Sequence, residues 1–242
     1  MAEAPYTSPF PPVYVTVDIV VLTIRDERLQ VLVVERGSQP WRGSLALPGG
    51  FLRQTEDLAD GVRRELREET GLDVEPAHRE QLGTFGAPDR DPRARTVSVA
   101  YLAVLPSLPA PVAGTDAAGA SWQPVDAMLA HDLAFDHHEI LLAGVARERN
   151  KLEYTSLATA FVGPRFTMAE LRGVYEVVWG QPLDPGNFHR KVLGPDGFVR
   201  RTPAQRSGGR GRPAATYEPG DAIVLNPPIL QRTSRRAPDH VP

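Results

Sequence analysis

The chain is predicted to be an α/β protein: an α/β/α sandwich built on a mixed sheet, followed by a smaller winged helix-turn-helix domain. Three observations carry this expectation. Up to about residue 150, strand-type apolar runs alternate with helical periodicity. A capped helix, a short turn and a second capped helix follow. The charge also changes sign along the chain. From Gly180 to Pro242 there are ten Lys and Arg against five Asp and Glu, a net of +5, whereas the preceding residues carry 17 basic and 25 acidic groups, a net of −8. An acidic front and a basic back imply different partners for the two parts.

Residues 1–12 hold Pro5, Pro9, Pro11 and Pro12 without a charged n-region and apolar core, so they are expected to be a flexible tail and not a signal peptide. Val13 to Ile24 alternates and then runs apolar, as a buried strand does. Asp26-Glu27-Arg28 turns it into a second strand, Leu29 to Glu35. A helix is expected from Asp57 to Thr70, with Leu58, Val62 and Leu66 on one face and Gly71 as its stop. Gln81 to Phe85, Thr96 to Leu105 and Ala120 to Pro124 are further strand candidates, and Pro106 to Gly119 is expected to be a surface loop. Phe135 to Asn150 closes the first domain (13–150) as a helix capped by Asp136, with Glu139 in its first turn.

The second domain is placed at 151–225, with a tail at 226–242. Leu152 to Phe161 is expected to be a helix. Thr167-Met168-Ala169-Glu170 is a capping box for the next one, which Gly180 stops. Asp184-Pro185 then opens a short helix presenting Asn187, His189, Arg190 and Lys191, residue types suited to phosphate and base-edge contacts. Phe198 to Arg201 and the return through Tyr217 form a hairpin, the wing. Its tip contains Arg210-Gly211-Arg212-Pro213, an arginine pair of the kind that fits a narrow minor groove.

The most specific pattern lies between Gly50 and Leu72: Gly50, five residues, Glu56, seven residues, then Arg64-Glu65-Leu66-Arg67-Glu68-Glu69-Thr70-Gly71-Leu72. On a helix, Glu65, Glu68 and Glu69 fall within an arc of roughly 100° beside the apolar face. Three carboxylates so close repel one another, and a hard divalent cation removes the conflict. Such a cation neutralises diphosphate charge and activates water. Leu47-Pro48-Gly49-Gly50 lets backbone approach the metal.

Composition removes other chemistries. The 242 residues contain no cysteine, which excludes disulfides, thiolate metal sites and a cysteine nucleophile. No apolar run approaches the ~20 residues of a membrane span, so a cytoplasmic protein without a membrane partner is expected.

The pattern from Gly50 to Leu72 is a complete Nudix box. With Gln81-Leu82-Gly83-Thr84-Phe85, Arg90-Asp91-Pro92-Arg93 and Asn187-Phe188-His189-Arg190-Lys191, the chain resembles the NrtR-type Nudix-related transcriptional regulators of NAD metabolism over roughly residues 13 to 220. The resemblance implies a Nudix sandwich with a C-terminal winged helix, and a homodimer on a double-stranded, palindromic operator, released when ADP-ribose or a related nucleotide binds. It implies Mg2+ (or Mn2+) on Glu65 and Glu69, Glu68 as a further ligand or base, and a structural role for Gly50, Glu56, Arg64 and Gly71. Arg42, Arg90 and Arg93 become candidate diphosphate contacts, and Phe51 and Phe85 candidate stacking partners for adenine. Many such regulators have eroded boxes; this one is intact. Two function classes therefore stand: a ligand-sensing repressor that can retain pyrophosphatase activity, or a Mg-dependent hydrolase of ADP-ribose or a related nucleoside diphosphate derivative, with an accessory C-terminal domain.

Overall fold

The computed structural model describes residues 9–73, 76, 78–106, 117–206 and 213–231. The chain divides into two compact units, residues 1–25 with 29–145 and residues 26–28 with 146–242. In chain order the elements of the first part are β1 (Tyr14–Arg25), β2 (Arg28–Arg36), β3 (Leu45–Ala46), β4 (Gly49–Phe51), α1 (Leu58–Thr70), β5 (His78–Phe85), β6 (Thr96–Val104), β7 (Ala117–Pro124), α2 (Val125–Leu129) and α3 (His137–Tyr154).

The sheet order is β3-β2-β1-β6-β5, with β4 added to β1 and β7 to β2. β1 runs parallel to β6, from Tyr14↔Thr96 to Leu22↔Val104, and antiparallel to β4, so the sheet is mixed. Side chains alternate along β1. Val17, Ile19 and Val21 pack with Val62 and Leu66 of α1. On the other face Gly144 of α3 sits so close that an added Cβ would come within 2.9 Å of Val20. Helices thus cover both faces of the sheet, the expected sandwich. Asp57 caps α1 by accepting from the Ala59 N–H, and Gly71 closes it in left-handed backbone at φ 66°.

Several elements differ from expectation. β5 and β7 begin earlier than foreseen, and the short strands β3 and β4 were not foreseen. Residues 107–116 of the expected loop lie outside the described residues, while Ala117 already belongs to β7. α3 starts only at His137, because Phe135 has φ 58°, outside helical backbone. It runs on to Tyr154. A 3-10 helix over Ser156–Phe161 replaces the helix expected from Leu152. The Thr155 hydroxyl explains the break: it donates to the Lys151 carbonyl at 2.7 Å and accepts from the Leu157 N–H, taking backbone groups from a continuing helix.

In the second unit, β8 (Phe166–Thr167), α4 (Met168–Trp179), α5 (Pro185–Val192), β9 (Val199–Arg206) and β10 (Ala214–Pro219) form two helices and a three-stranded sheet of order β8-β10-β9. The capping box is present: Thr167 N–H donates to Glu170 Oε2 at 2.7 Å, and Glu170 N–H to the Thr167 hydroxyl at 3.2 Å. The core is aromatic. Tyr175 packs edge-on against Trp179 at 4.8 Å and Phe188 at 5.2 Å between ring centres, fastening α5 to α4.

Candidate ligand site and nucleic-acid interface

β1, β4, the end of β2, α1 and the start of α3 surround a cavity of about 680 Å³. On its α1 side, Glu65 and Glu69 face Gly49 and Gly50 of β4. The fit is close: a Cβ on Gly50 would collide with the Glu65 carboxylate, and one on Gly49 with Asp18. Glu69 Oε2 accepts the Gly49 N–H at 2.9 Å. Burial pushes the Glu69 carboxyl up to about 8, and the neighbouring Glu65 and Asp18 push the same way. Burial also raises Glu65.

Arg64 organises this group. It holds Glu56 through Nε–Oε1 at 2.7 Å and Nη2–Oε2 at 2.8 Å. It also reaches Glu65 at 2.6 Å, Glu68 at 3.0 Å and the Phe51 carbonyl at 3.1 Å. Glu68 lies at the exposed edge, shared with Arg53, and does not line the cavity. Among the described residues no three carboxylate or imidazole groups close on one point. Of the carboxylates that line the cavity, Asp18, Glu35, Glu65, Glu69 and Asp91, the pair Glu65 and Glu69 lies together on α1 against Gly49 and Gly50. Two carboxylates completed by substrate phosphate and water suit a small hard cation. The residues present therefore fit such a metal.

Of the five candidate ligand residues, three line the cavity. Phe51 and Arg93 meet there, the guanidinium 4.9 Å from the ring centre. Arg90 is also at the wall but buried. Its guanidinium is held by Asp136 at 2.6 and 2.8 Å and by Asp18 at 3.4 Å, leaving little of it for a ligand. Asp136, expected first as a helix cap, thus has both oxygens on Arg90. Arg42 is exposed and Phe85 lies at the end of β5; neither lines the cavity.

Other lining residues escaped the sequence. Arg36 stacks over Phe135 at 4.6 Å, and Arg93 approaches the same ring at 5.3 Å. Phe135 also packs on Trp41 at 4.5 Å, and both bulky residues hold left-handed backbone, at φ 58° and 59°. Such backbone costs on the order of 1–3 kcal/mol per residue and persists only where packing enforces it. Arg93 is itself anchored on Asp91 at 2.7 Å. Two guanidinium groups against one ring, beside a carboxylate floor, can grip a diphosphate between cations. Behind them, Asp18 takes the Ser98 hydroxyl and faces His137 Nε2 at 3.5 Å. His137 Nδ1 accepts the Leu47 N–H at 2.9 Å, and burial lowers its proton affinity, keeping it neutral.

In the second unit, α5 presents exposed His189 and Arg190 and half-buried Asn187 and Lys191. Arg190 donates to Asn187 Oδ1 at 2.6 Å, His189 lies 3.4 Å from the Tyr217 hydroxyl, and Lys191 Nζ donates to the Leu230 carbonyl at 3.2 Å. Asp184 caps the helix by accepting the Asn187 N–H at 2.8 Å, and Pro185 follows at its first position. β9 adds exposed Arg200, Arg201 and Arg206. Arg210 and Arg212 lie outside the described residues.

Residues 15–143 match the NUDIX domain family, and residues 159–218 match the NrtR DNA-binding winged helix domain. Over 212 residues, 87% of this chain and 83% of the relative, the sequence is 34% identical to the ADPR responsive transcriptional repressor NtrR of Acinetobacter baylyi. The structure is similar to that of Shewanella oneidensis NrtR complexed with a 27mer DNA, with a TM-score of 0.72 and 34% identity over 85% of this chain and 93% of that one. It is also similar to the NUDIX domain of Shewanella oneidensis NrtR complexed with ADP ribose, with a TM-score of 0.54 and 38% identity over 60% of this chain and 94% of that one. Among the described residues no helix is long and apolar enough to cross a membrane.

Proposed function

Because the chain belongs to the NUDIX family and continues into the NrtR DNA-binding winged helix domain, we propose that it is an ADP-ribose-responsive transcriptional repressor of NAD-metabolism genes. The observation that carries this is the pairing, in one chain, of a carboxylate-floored cavity walled by guanidinium groups with a capped helix presenting His189 and Arg190. In the cavity, Arg36 and Arg93 take the diphosphate, and Phe51 and Phe135 offer faces for the base and the sugar edge. Glu65 and Glu69 would hold a divalent cation, Mg2+ or Mn2+, which supplies charge neutralisation and an activated water when bound. Arg64 orients both the box loop and Glu65, while Arg90 and Asp136 tie α3 to the wall. On DNA, Arg190 and His189 reach the groove, and exposed Arg200 and Arg201 of β9 follow the backbone, a role also assigned to Arg210 and Arg212, which lie outside the described residues.

Two copies on a two-fold operator follow the usual geometry of helix-turn-helix proteins. Release requires that ADP-ribose bind the DNA-free form more tightly than the DNA-bound form. Titrating ADP-ribose into the complex with DNA from upstream of the chain's own gene tests this: release at saturating ligand supports repression with induction, and unchanged affinity refutes it. A second reading is favoured by the intact box, with Gly50 fitted against Glu65 and Gly49 bonded to Glu69: slow hydrolysis of ADP-ribose. Metal-dependent release of AMP and ribose 5-phosphate, lost in Glu69→Gln, would establish it alongside sensing; no turnover would leave a pure sensor.

A further inference from the structure

The chain continues past residue 218, where the match to the winged-helix family ends, and residues 222–231 form a strap across the ends of three helices. The last carbonyls of an α-helix have no partner within the helix. The strap supplies them. Leu225 N–H donates to the Tyr154 carbonyl and Ile229 N–H to the Glu153 carbonyl, both at 2.8 Å, at the end of α3. Gln231 Nε2 donates to the carbonyl of Trp179, the last residue of α4, at 3.4 Å. Gln231 N–H is fixed by Glu153 Oε1 at 2.8 Å, and the Leu230 carbonyl accepts Lys191 Nζ from α5. Leu225 and Ile229 are 3% and 1% exposed, so the strap is seated by apolar burial as well as by hydrogen bonds. A domain boundary after residue 225 cuts through this segment.

We propose that this strap positions the recognition helix: Lys191, Glu153, Ile229 and Gln231 set the angle of α5 so that Arg190 and His189 meet base edges. Lys191 is then a positioning residue, with its ammonium spent on Leu230. The proposal rests on the DNA-binding reading above. A register error of a recognition helix removes base contacts, but the charge attraction to phosphate survives. Loss of the strap should therefore erode selectivity more than general DNA affinity.

The test uses the full chain, a duplex from upstream of its own gene and an unrelated duplex of equal length, at two salt concentrations. Removing the charged acceptor in Glu153→Ala should weaken binding to the upstream duplex by about tenfold, the effect of losing one base contact of a misplaced α5. Affinity for the unrelated duplex and for ADP-ribose should stay near wild type, and the melting temperature should fall by only a few degrees. Glu153→Gln, which keeps an acceptor, should restore selectivity, and Ile229→Ala should repeat the loss. Equal loss on both duplexes, or none in either variant, overturns the proposal. Wild-type protein that does not distinguish the two duplexes overturns the DNA-binding reading itself.

Discussion

Arg64 grips Glu56 with two parallel hydrogen bonds, and the same guanidinium extends to the buried Glu65 carboxylate at 2.6 Å. One cation therefore ties the loop of the box to its helix. Its removal leaves Glu65 buried without compensation, so Arg64→Ala should lower folding stability by about 3 kcal/mol. Arg64→Lys cannot reproduce the fork and should recover only part of the loss. Urea unfolding of the three proteins checks this; a lysine variant as stable as wild type would contradict the bidentate role.

The pH dependence has a definite sign. Without metal, the folded protein holds the Glu69 proton up to about pH 8, whereas an unperturbed glutamate releases it near 4.5. The proton-linked stability is therefore full below the lower value and is lost as pH rises through the higher one. In chelator, wild type should lose stability between about pH 5 and 8 more steeply than Glu69→Gln. Added Mg2+ should flatten the wild-type curve. Parallel curves for the two proteins would show that Glu69 is not the group responsible.

Much of this was legible in the sequence because it is local. Gly71, Thr167 with Glu170 and Gly180, and Asp184 with Pro185 each mark a helix end from local sequence, and the ends of α1, α4 and α5 lie where those signals put them. Asp57, expected as the first helical residue, serves as the cap of α1. Glu65 and Glu69 share a helix face by spacing alone. The rest of the cavity is not local. Asp18, Arg36 and His137 converge from two strands and a helix more than a hundred residues apart, and nothing in their neighbourhoods marks them. Arg42 is a candidate from sequence and Arg36 is not, yet of the two it is Arg36, ending β2, that lines the cavity. The left-handed Phe135 is equally silent, since a phenylalanine gives no hint of such backbone. The strap was invisible because its buried Leu225 and Ile229 sit in a short Pro-rich stretch without periodicity.

Arg36 is expected to contribute directly to ligand affinity. Arg36→Ala should weaken ADP-ribose binding by about tenfold or more, since a charge-assisted contact to phosphate contributes roughly 1.5–3 kcal/mol. Arg42→Ala should leave affinity unchanged. Calorimetric titration of both distinguishes them, and the reverse pattern would relocate the diphosphate.

On the DNA side, Arg190→Ala together with Lys191→Ala should abolish selective binding while ADP-ribose affinity persists. Anisotropy with labelled duplex and calorimetry on the same preparation check the two halves. Selective DNA binding by the double variant would remove α5 from the recognition role.

In the proposed cycle one chain exchanges ADP-ribose for DNA. Fluorescence anisotropy on upstream DNA, with ADP-ribose titrated in at fixed Mg2+ and against unrelated competitor duplex, measures that exchange directly. Binding should be tight and sequence-selective and should fall as ADP-ribose saturates the cavity, with Arg36→Ala shifting the release to higher ligand concentration. Weak, salt-sensitive binding that ignores ADP-ribose would contradict the cycle.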